Sequence, residues 1–194
     1  MELPTHNYFL WGPYLTKMKV EETLCEKLLT HGRELRTSHR NHLAGKIDKE
    51  FSYDNLKYYQ KQFQPYIDSW IHGWYRQLGS HVAVKGKLVS LWINFQKAKE
   101  HNPPHIHPGA DVSFALHLNA PIEMIGEKQD TTGIAPGRLS FLYGEERPHT
   151  IAERSFTPEK NVMFMFPANL RHYVASFNSD VERISVAGNV KFEH

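Results

Sequence analysis

Beyond Gly79 the sequence breaks into short β-rich runs, and that pattern limits the fold more than any other feature. Val82–Val84, Leu88–Phe95, Val112–Leu118, Leu139–Tyr143, Val162–Phe166, Tyr173–Ala175 and Ile184–Val190 are separated by Gly, Pro, Asn and Asp. Runs this short, spaced by turn formers, bury themselves as a sandwich or barrel of strands. Upstream the period changes. Val20, Leu24, Leu28 and Leu29 follow helical spacing, with Gly32 as a stop. Ser52 is placed to cap a helix through Leu56, Tyr59 and Phe63, and Pro65 to interrupt it and open a second. That second helix carries Ile67, Trp70, Ile71, Trp74 and Leu78 on one face, the signature of a buried stripe. The residues between, 33–50, read as a loop, and Tyr8–Leu10 as an edge strand. The expected architecture is mainly β with N-terminal helices, a jelly roll packed against a helical layer. Residues 1–194 are expected to form a single domain, 1–80 mostly helical and 81–194 the jelly-roll core.

The charges exclude some classes of partner. Twenty-three basic and 21 acidic residues leave a net charge of +2, with no basic run. Neither nucleic acid nor an anionic membrane surface is expected as a partner. No apolar stretch approaches the ~20 residues of a membrane span. The first residues lack the basic and apolar regions of a signal peptide. A single cysteine, Cys25, excludes an internal disulfide and suits a reducing compartment. The expected location is cytoplasmic.

Thirteen histidines prompt a search for clusters. Isolated ones such as His31, His72 and His149 fit surface or structural roles. The stretch 101–118, HNPPHIHPGADVSFALHL, is different. His105 and His107 are one residue apart, so an extended chain puts both imidazoles on one face, where they can close on one metal ion. Pro103 and Pro104 enforce the extended approach. Farther on, Phe166-Pro-Ala-Asn-Leu-Arg-His172 takes a strand through a proline turn to a third histidine. In a jelly roll an early pair and a late histidine can converge inside the barrel. Arg183 follows, with Ser185 on the same strand face. A guanidinium there suits a ligand carboxylate, which its fork of donors can grip at two points.

His105-x-His107-Pro, Ser113, Gly137-Arg-Leu-Ser-Phe141, Phe166-Pro167 with His172, and Arg183-Ile-Ser185 with Asn189 together resemble the iron(II)- and 2-oxoglutarate-dependent oxygenases. The chain is most similar to the oxygenase family found in tailed phages and bacteria, and Leu43-Ala44-Gly45 is similar to a recurring element there. The resemblance covers roughly residues 40–190. It implies a double-stranded β-helix with iron(II) on His105, His107 and His172. It also implies 2-oxoglutarate as co-substrate, its far carboxylate on Arg183 and Ser185, and O2 as oxidant. The reaction implied is a dioxygenase's, oxidation of a substrate C–H bond coupled to decarboxylation of 2-oxoglutarate to succinate. One departure stands out. The superfamily usually carries a carboxylate where this chain has His107. Asp111 is the nearest acid and the reserve ligand, although Pro108-Gly109 interrupts the strand between them. Asn94, alternating with Trp92, is a further candidate co-substrate contact. His117 shares the face of Ser113 and Ala115, where lining the cavity and strand packing are equal alternatives.

Two other classes compete. A cupin, whether binding module, isomerase or 2-oxoglutarate-independent dioxygenase, shares the jelly roll, and His105, His107, Asp111 and His172 meet its spacing. Against it stand the lack of a glycine ahead of the histidine pair and the presence of Arg183 with Ser185. A phage structural protein with a vestigial site is the other. The oxidised substrate stays open between a prolyl or other peptidyl residue, a nucleobase and a small metabolite. The aromatic N-terminal segment is a candidate homodimer interface, and residues 119–137 a candidate lid.

Overall fold

The computed structural model describes residues 12–40, 44–80, 84–128 and 135–193. It contains ten strands in two antiparallel sheets and three helices among those residues. In chain order they are β1 (Thr16–Lys19), α1 (Glu22–Glu34), β2 (Lys49–Ser52), α2 (Leu56–Gln77), β3 (Lys85–Gln96), β4 (Asn102–His105) and β5 (Val112–Asn119). There follow α3 (Ile122–Ile125), β6 (Leu139–Leu142), β7 (Glu153–Phe156), β8 (Val162–Pro167), β9 (Arg171–Val174) and β10 (Arg183–Glu193). The larger sheet runs β1-β8-β5-β10-β3-β2 and the smaller β4-β9-β6-β7. The mainly β jelly roll with a helical layer is the architecture observed.

Alternation decides which side of the large sheet does what. Along β5 and β10 the odd residues Ser113, Ala115 and His117 pair with Asn189, Ala187 and Ser185, the last two of which also pair with Trp92 and Asn94 of β3. The opposite face, with Phe114, Leu116, Val186, Leu91 and Ile93, joins the core shared with α1 and α2. Gly188 belongs to this helical side, where a Cβ would collide with the Phe114 ring and the Leu91 side chain. Glycine at this position therefore lets an aromatic lie directly on the central strand.

The helices depart from the spacing rules in instructive ways. α2 is one continuous helix, with Pro65 inside it. A proline there costs about 3 kcal/mol or more. Tyr59, Phe63, Ile67, Trp70 and Ile71 are all buried along one face, and each contributes about 1.5–3 kcal/mol. Splitting the helix would sacrifice more than the proline costs. Gln64 donates to Asp68 Oδ1 at 2.7 Å across the proline. The cap is Asn55, whose side chain accepts from the Tyr58 amide, and Ser52 ends β2 instead. Gly32 does not stop α1, which continues to Glu34; a Cβ there would meet Ile93 and the Tyr53 hydroxyl. That glycine marks a close approach of the helix to the sheet.

Several short elements escape the sequence reading. β2 begins at the end of the expected loop 33–50 and runs past it to Ser52, and α3 lies within the expected lid 119–137, of which residues 129–134 fall outside the described residues. β1, β4 and β7 are also short. The edge strand expected at Tyr8–Leu10 and most of the run Val82–Val84 likewise fall outside the described residues. No helix among the described residues is long and apolar enough to cross a membrane.

Phe63 is fully buried, and its ring centroid lies 4.7 Å from that of Phe114. Phe63→Ala should cost about 3–5 kcal/mol of unfolding free energy in urea denaturation. A loss below about 1 kcal/mol would contradict this helix-on-sheet interface.

Candidate active site

The two sheets face each other across a narrow interior, and chemistry-bearing side chains line it from both. On the small sheet, β4 and β9 pair antiparallel with His105 opposite His172. His107 follows β4 and is tied down by its own amide, which donates to the Ala168 carbonyl at 2.9 Å. The ring centroids of His105 and His107 lie 5.2 Å apart, those of His105 and His172 4.3 Å, and those of His107 and His172 5.0 Å. One nitrogen from each of the three falls within 4.8 Å of the other two.

The tautomers are set by backbone. His105 Nδ1–H donates to the Pro103 carbonyl at 2.7 Å and His172 Nδ1–H to the Leu170 carbonyl at 2.9 Å. Each Nε2 is thereby left with its lone pair, and His107 Nε2 lies 3.2 Å from that of His172. Burial is the chief reason these imidazoles stay neutral. It holds His172 down at about 3 and His107 at about 4, with His105 adding a smaller effect on both. Burial also lowers His105, partly offset by its bond to Pro103. Neutral imidazole with a free nitrogen is the metal-binding form, and carbonyl acceptors on the far nitrogens fix the rings for it. The donor set fits a divalent iron. Phe166 and Phe141 pack on the His172 ring and Trp92 on that of His107, so the rings have little freedom to turn away.

The large sheet supplies the other end. Arg183 is 2% exposed. It donates to Gln96 Oε1 at 3.2 Å, Ser185 Oγ at 3.4 Å and His117 Nδ1 at 3.2 Å. All three partners are neutral. Among the described residues no carboxylate meets it, and its Nε–H has no partner. Burial pulls its pKa down to about 10, so it remains charged at neutral pH. Asn94 donates to Ser185 Oγ at 3.4 Å, and its Oδ1 is unpartnered. His117 is fully buried and accepts from Arg183, which leaves its Nε2–H without an acceptor. Burial, and then the Arg183 charge, hold it neutral. The cluster is cationic and rich in unused donors, a fit for a carboxylate.

The histidines, Arg183, Ser185 and Asn94 all line one cavity of about 40 Å³. Through His105, His107 and Trp92 it meets an open pocket of about 510 Å³, whose wall includes His39 stacked on Trp92 at 4.8 Å. Asp111 lies elsewhere. Its carboxylate accepts the Phe192 amide at 2.7 Å, and it is not part of the histidine cluster. Gln96 and His39 escape the sequence reading. Gln96 is legible in hindsight, since it continues the Trp92–Asn94 alternation; His39 sits in a stretch with no period at all.

Known proteins give this geometry a family. A model described as "Putative 2OG-Fe(II) oxygenase" matches residues 90–189. Among solved structures, a Pseudomonas putida prolyl-4-hydroxylase is similar at 14% identity and a TM-score of 0.58, covering 94% of each chain. The viral collagen prolyl hydroxylase of Paramecium Bursaria Chlorella virus-1, a complex with 2OG, is similar at 12% identity and 0.57, covering 92% of this chain and 96% of its own. The epimerase SnoN from nogalamycin biosynthesis is similar at 13% identity and 0.60, covering 92% of this chain and 78% of its own. No curated protein matches by sequence. These structures share the fold, and the family model spans more than half of the chain, from β3 to β10. The chain belongs to the 2OG-Fe(II) oxygenase family and is a 2-oxoglutarate-dependent, iron(II)-dependent oxygenase.

Proposed function

We propose that His105, His107 and His172 hold the iron(II), and that Arg183, Ser185 and Asn94 hold the far carboxylate of 2-oxoglutarate. The observation that carries this reading is a buried guanidinium without an anion, set in the same small cavity as three neutral imidazoles. A buried charge of this kind costs several kcal/mol unless a counter-charge arrives. The co-substrate brings one. Bound together, iron(II) and 2-oxoglutarate let O2 oxidise a substrate C–H bond while the co-substrate loses CO2 and becomes succinate.

The chain's own residues do the positioning. The Pro103 and Leu170 carbonyls keep two imidazoles in the binding tautomer. His117, neutral and with its Nδ1 facing Arg183, holds the guanidinium in place without neutralising it. Phe166, Phe141 and Trp92 exclude water from the imidazoles, which strengthens the polar contacts made there. The cupin alternative gives Arg183 no such task.

The substrate is proposed to be a peptidyl segment, with a prolyl residue as the first candidate. The open pocket beside the histidines is continued past the exposed Ile106 by a groove of about 620 Å³ that includes Tyr14, Trp74 and Tyr143. Two pockets that adjoin at Ile106 and run on beyond the metal site suit an extended chain. Prolyl hydroxylases among the similar structures point the same way.

The test is anaerobic titration of metal-free protein with iron(II) and then 2-oxoglutarate, followed by visible absorption. Succinate release in air, with and without proline-containing peptides, completes it. A weak charge-transfer band requiring both additions, and succinate release increased by a peptide, are expected. Iron binding without either signal would reject the reading. His172→Ala should abolish iron binding and turnover. Arg183→Ala should leave iron affinity in place but weaken 2-oxoglutarate binding by about thirtyfold or more, as lost buried charge contacts do; unchanged affinity would remove Arg183 from the site. Asp111→Ala should keep normal iron affinity and lose only about 1 kcal/mol of stability with the Phe192 hydrogen bond.

A further inference from the structure

Glu50 has no task in the scheme above, yet it is 1% exposed and neither of its carboxyl oxygens has a hydrogen-bond partner. It sits on β2, directly opposite Asn94 of β3. Asn94 is opposite Ser185 of β10, and Ser185 opposite His117 of β5. The four residues form one row across the large sheet on its cavity face. Asn94 uses its Nδ2–H toward Ser185 and leaves Oδ1 without a donor. Directly opposed residues have Cβ atoms about 4.5–5.5 Å apart, so a glutamic acid can reach that oxygen.

We propose that Glu50 is a positioning residue that makes co-substrate binding depend on pH. As the neutral acid it donates to Asn94 Oδ1 and fixes the amide against Ser185. As the carboxylate it can no longer donate, and it adds an anion to the row that receives the co-substrate's carboxylate. The inference rests on the 2-oxoglutarate site proposed above.

The surroundings put the change within an accessible range. Burial pushes the Glu50 carboxyl up to about 7; Arg40 pulls it down and Glu100 pushes it up, both less strongly. Arg40 is half-exposed and pairs with Asp48 at 3.5 Å. Glu100 accepts the Asp48 and Lys97 amides at 3.0 Å and 2.7 Å. From β3 the facing group is Asn94, which does not titrate, and from the segment beside β2 the neighbouring titratable group is His39, whose amide donates to the Glu50 carbonyl at 2.9 Å and whose ring is hydrogen-bonded to Ser52 Oγ at 2.7 Å. Farther along the cavity Arg183 stays charged and His117 neutral. The sign follows. Glu50 is neutral below about pH 7 and favours binding there; it ionises above and opposes it.

Two measurements test this. Infrared difference spectroscopy on metal-free protein reads the protonated-carboxyl band directly. A band that titrates near pH 7 and is lost in Glu50→Gln is expected; titration in the ordinary glutamate range would overturn the proposal. Calorimetry of the manganese(II)-loaded protein then gives the 2-oxoglutarate Kd between about pH 6 and about pH 8.5, a range bracketing the shifted acid. The wild type should lose about tenfold in affinity across that range, a size set by one charge two strand spacings, about 10 Å, from the co-substrate's carboxylate. Glu50→Gln, which keeps a donor and cannot ionise, should bind throughout as the wild type does at low pH. A flat wild-type profile with binding intact, or a Glu50→Gln profile as steep as the wild type's, would overturn the role of Glu50 and spare the co-substrate site. No binding at any pH would overturn that site and this proposal with it.

Discussion

A guanidinium removed from water must be compensated, and among the described residues Arg183 meets only neutral oxygens and one neutral ring nitrogen. Protein dipoles cannot supply a full counter-charge. What makes the burial tolerable is the strand that carries it. β10 lies in the middle of the large sheet, paired along its length with β3 on one side and along most of it with β5 on the other. Both registers deliver hydrogen-bonding partners to the same face. Gln96 and Asn94 come from β3 and His117 from β5, each within reach of Arg183 or Ser185. The helical layer then holds the sheet in place from behind through Phe114, Leu116 and Ile93. The apolar face thus keeps in position a charge that its own hydrogen-bonding partners do not neutralise.

The three histidines show the same division of labour on the small sheet. Strand pairing puts His105 opposite His172, backbone carbonyls choose the tautomers, and aromatic rings limit the rotamers. None of these partners is itself a ligand candidate, yet each narrows what the nitrogens can do. Asp111 illustrates the converse. Its carboxylate is committed to a backbone amide of β10, a fastening between strands instead of a free donor.

Much of this was legible in the sequence, for definite reasons. Alternation on an extended chain is strict, so His105 with His107 and Arg183 with Ser185 could be paired by counting. The proline turn before His172 announced a new strand. The apolar stripe of α2 was visible too, but its continuity through Pro65 was not, because local propensity argued for a break and only the summed burial of the whole face decides otherwise. β2 was missed as a strand because a four-residue segment such as KEFS has no period to read, whereas Pro103 and Pro104 marked the NPPH of β4 as extended. Pairing with β3 and β9 makes β2 and β4 strands. Glu50 and His39 were missed for the same reason, since their surroundings are built by partners remote in sequence.

That remoteness also shapes how the molecule must form. Asn94 meets Ser185 across 91 positions and His117 meets Arg183 across 66. Closing such loops is entropically costly before any contact compensates, and it slows folding. Until β10 inserts, the edges of β3 and β5 that it will cover present unpaired amides and carbonyls, which are templates for pairing with other chains. If β10 pairs last, folding competes with self-association at those open edges, and conditions that dilute the chain would favour the folded product.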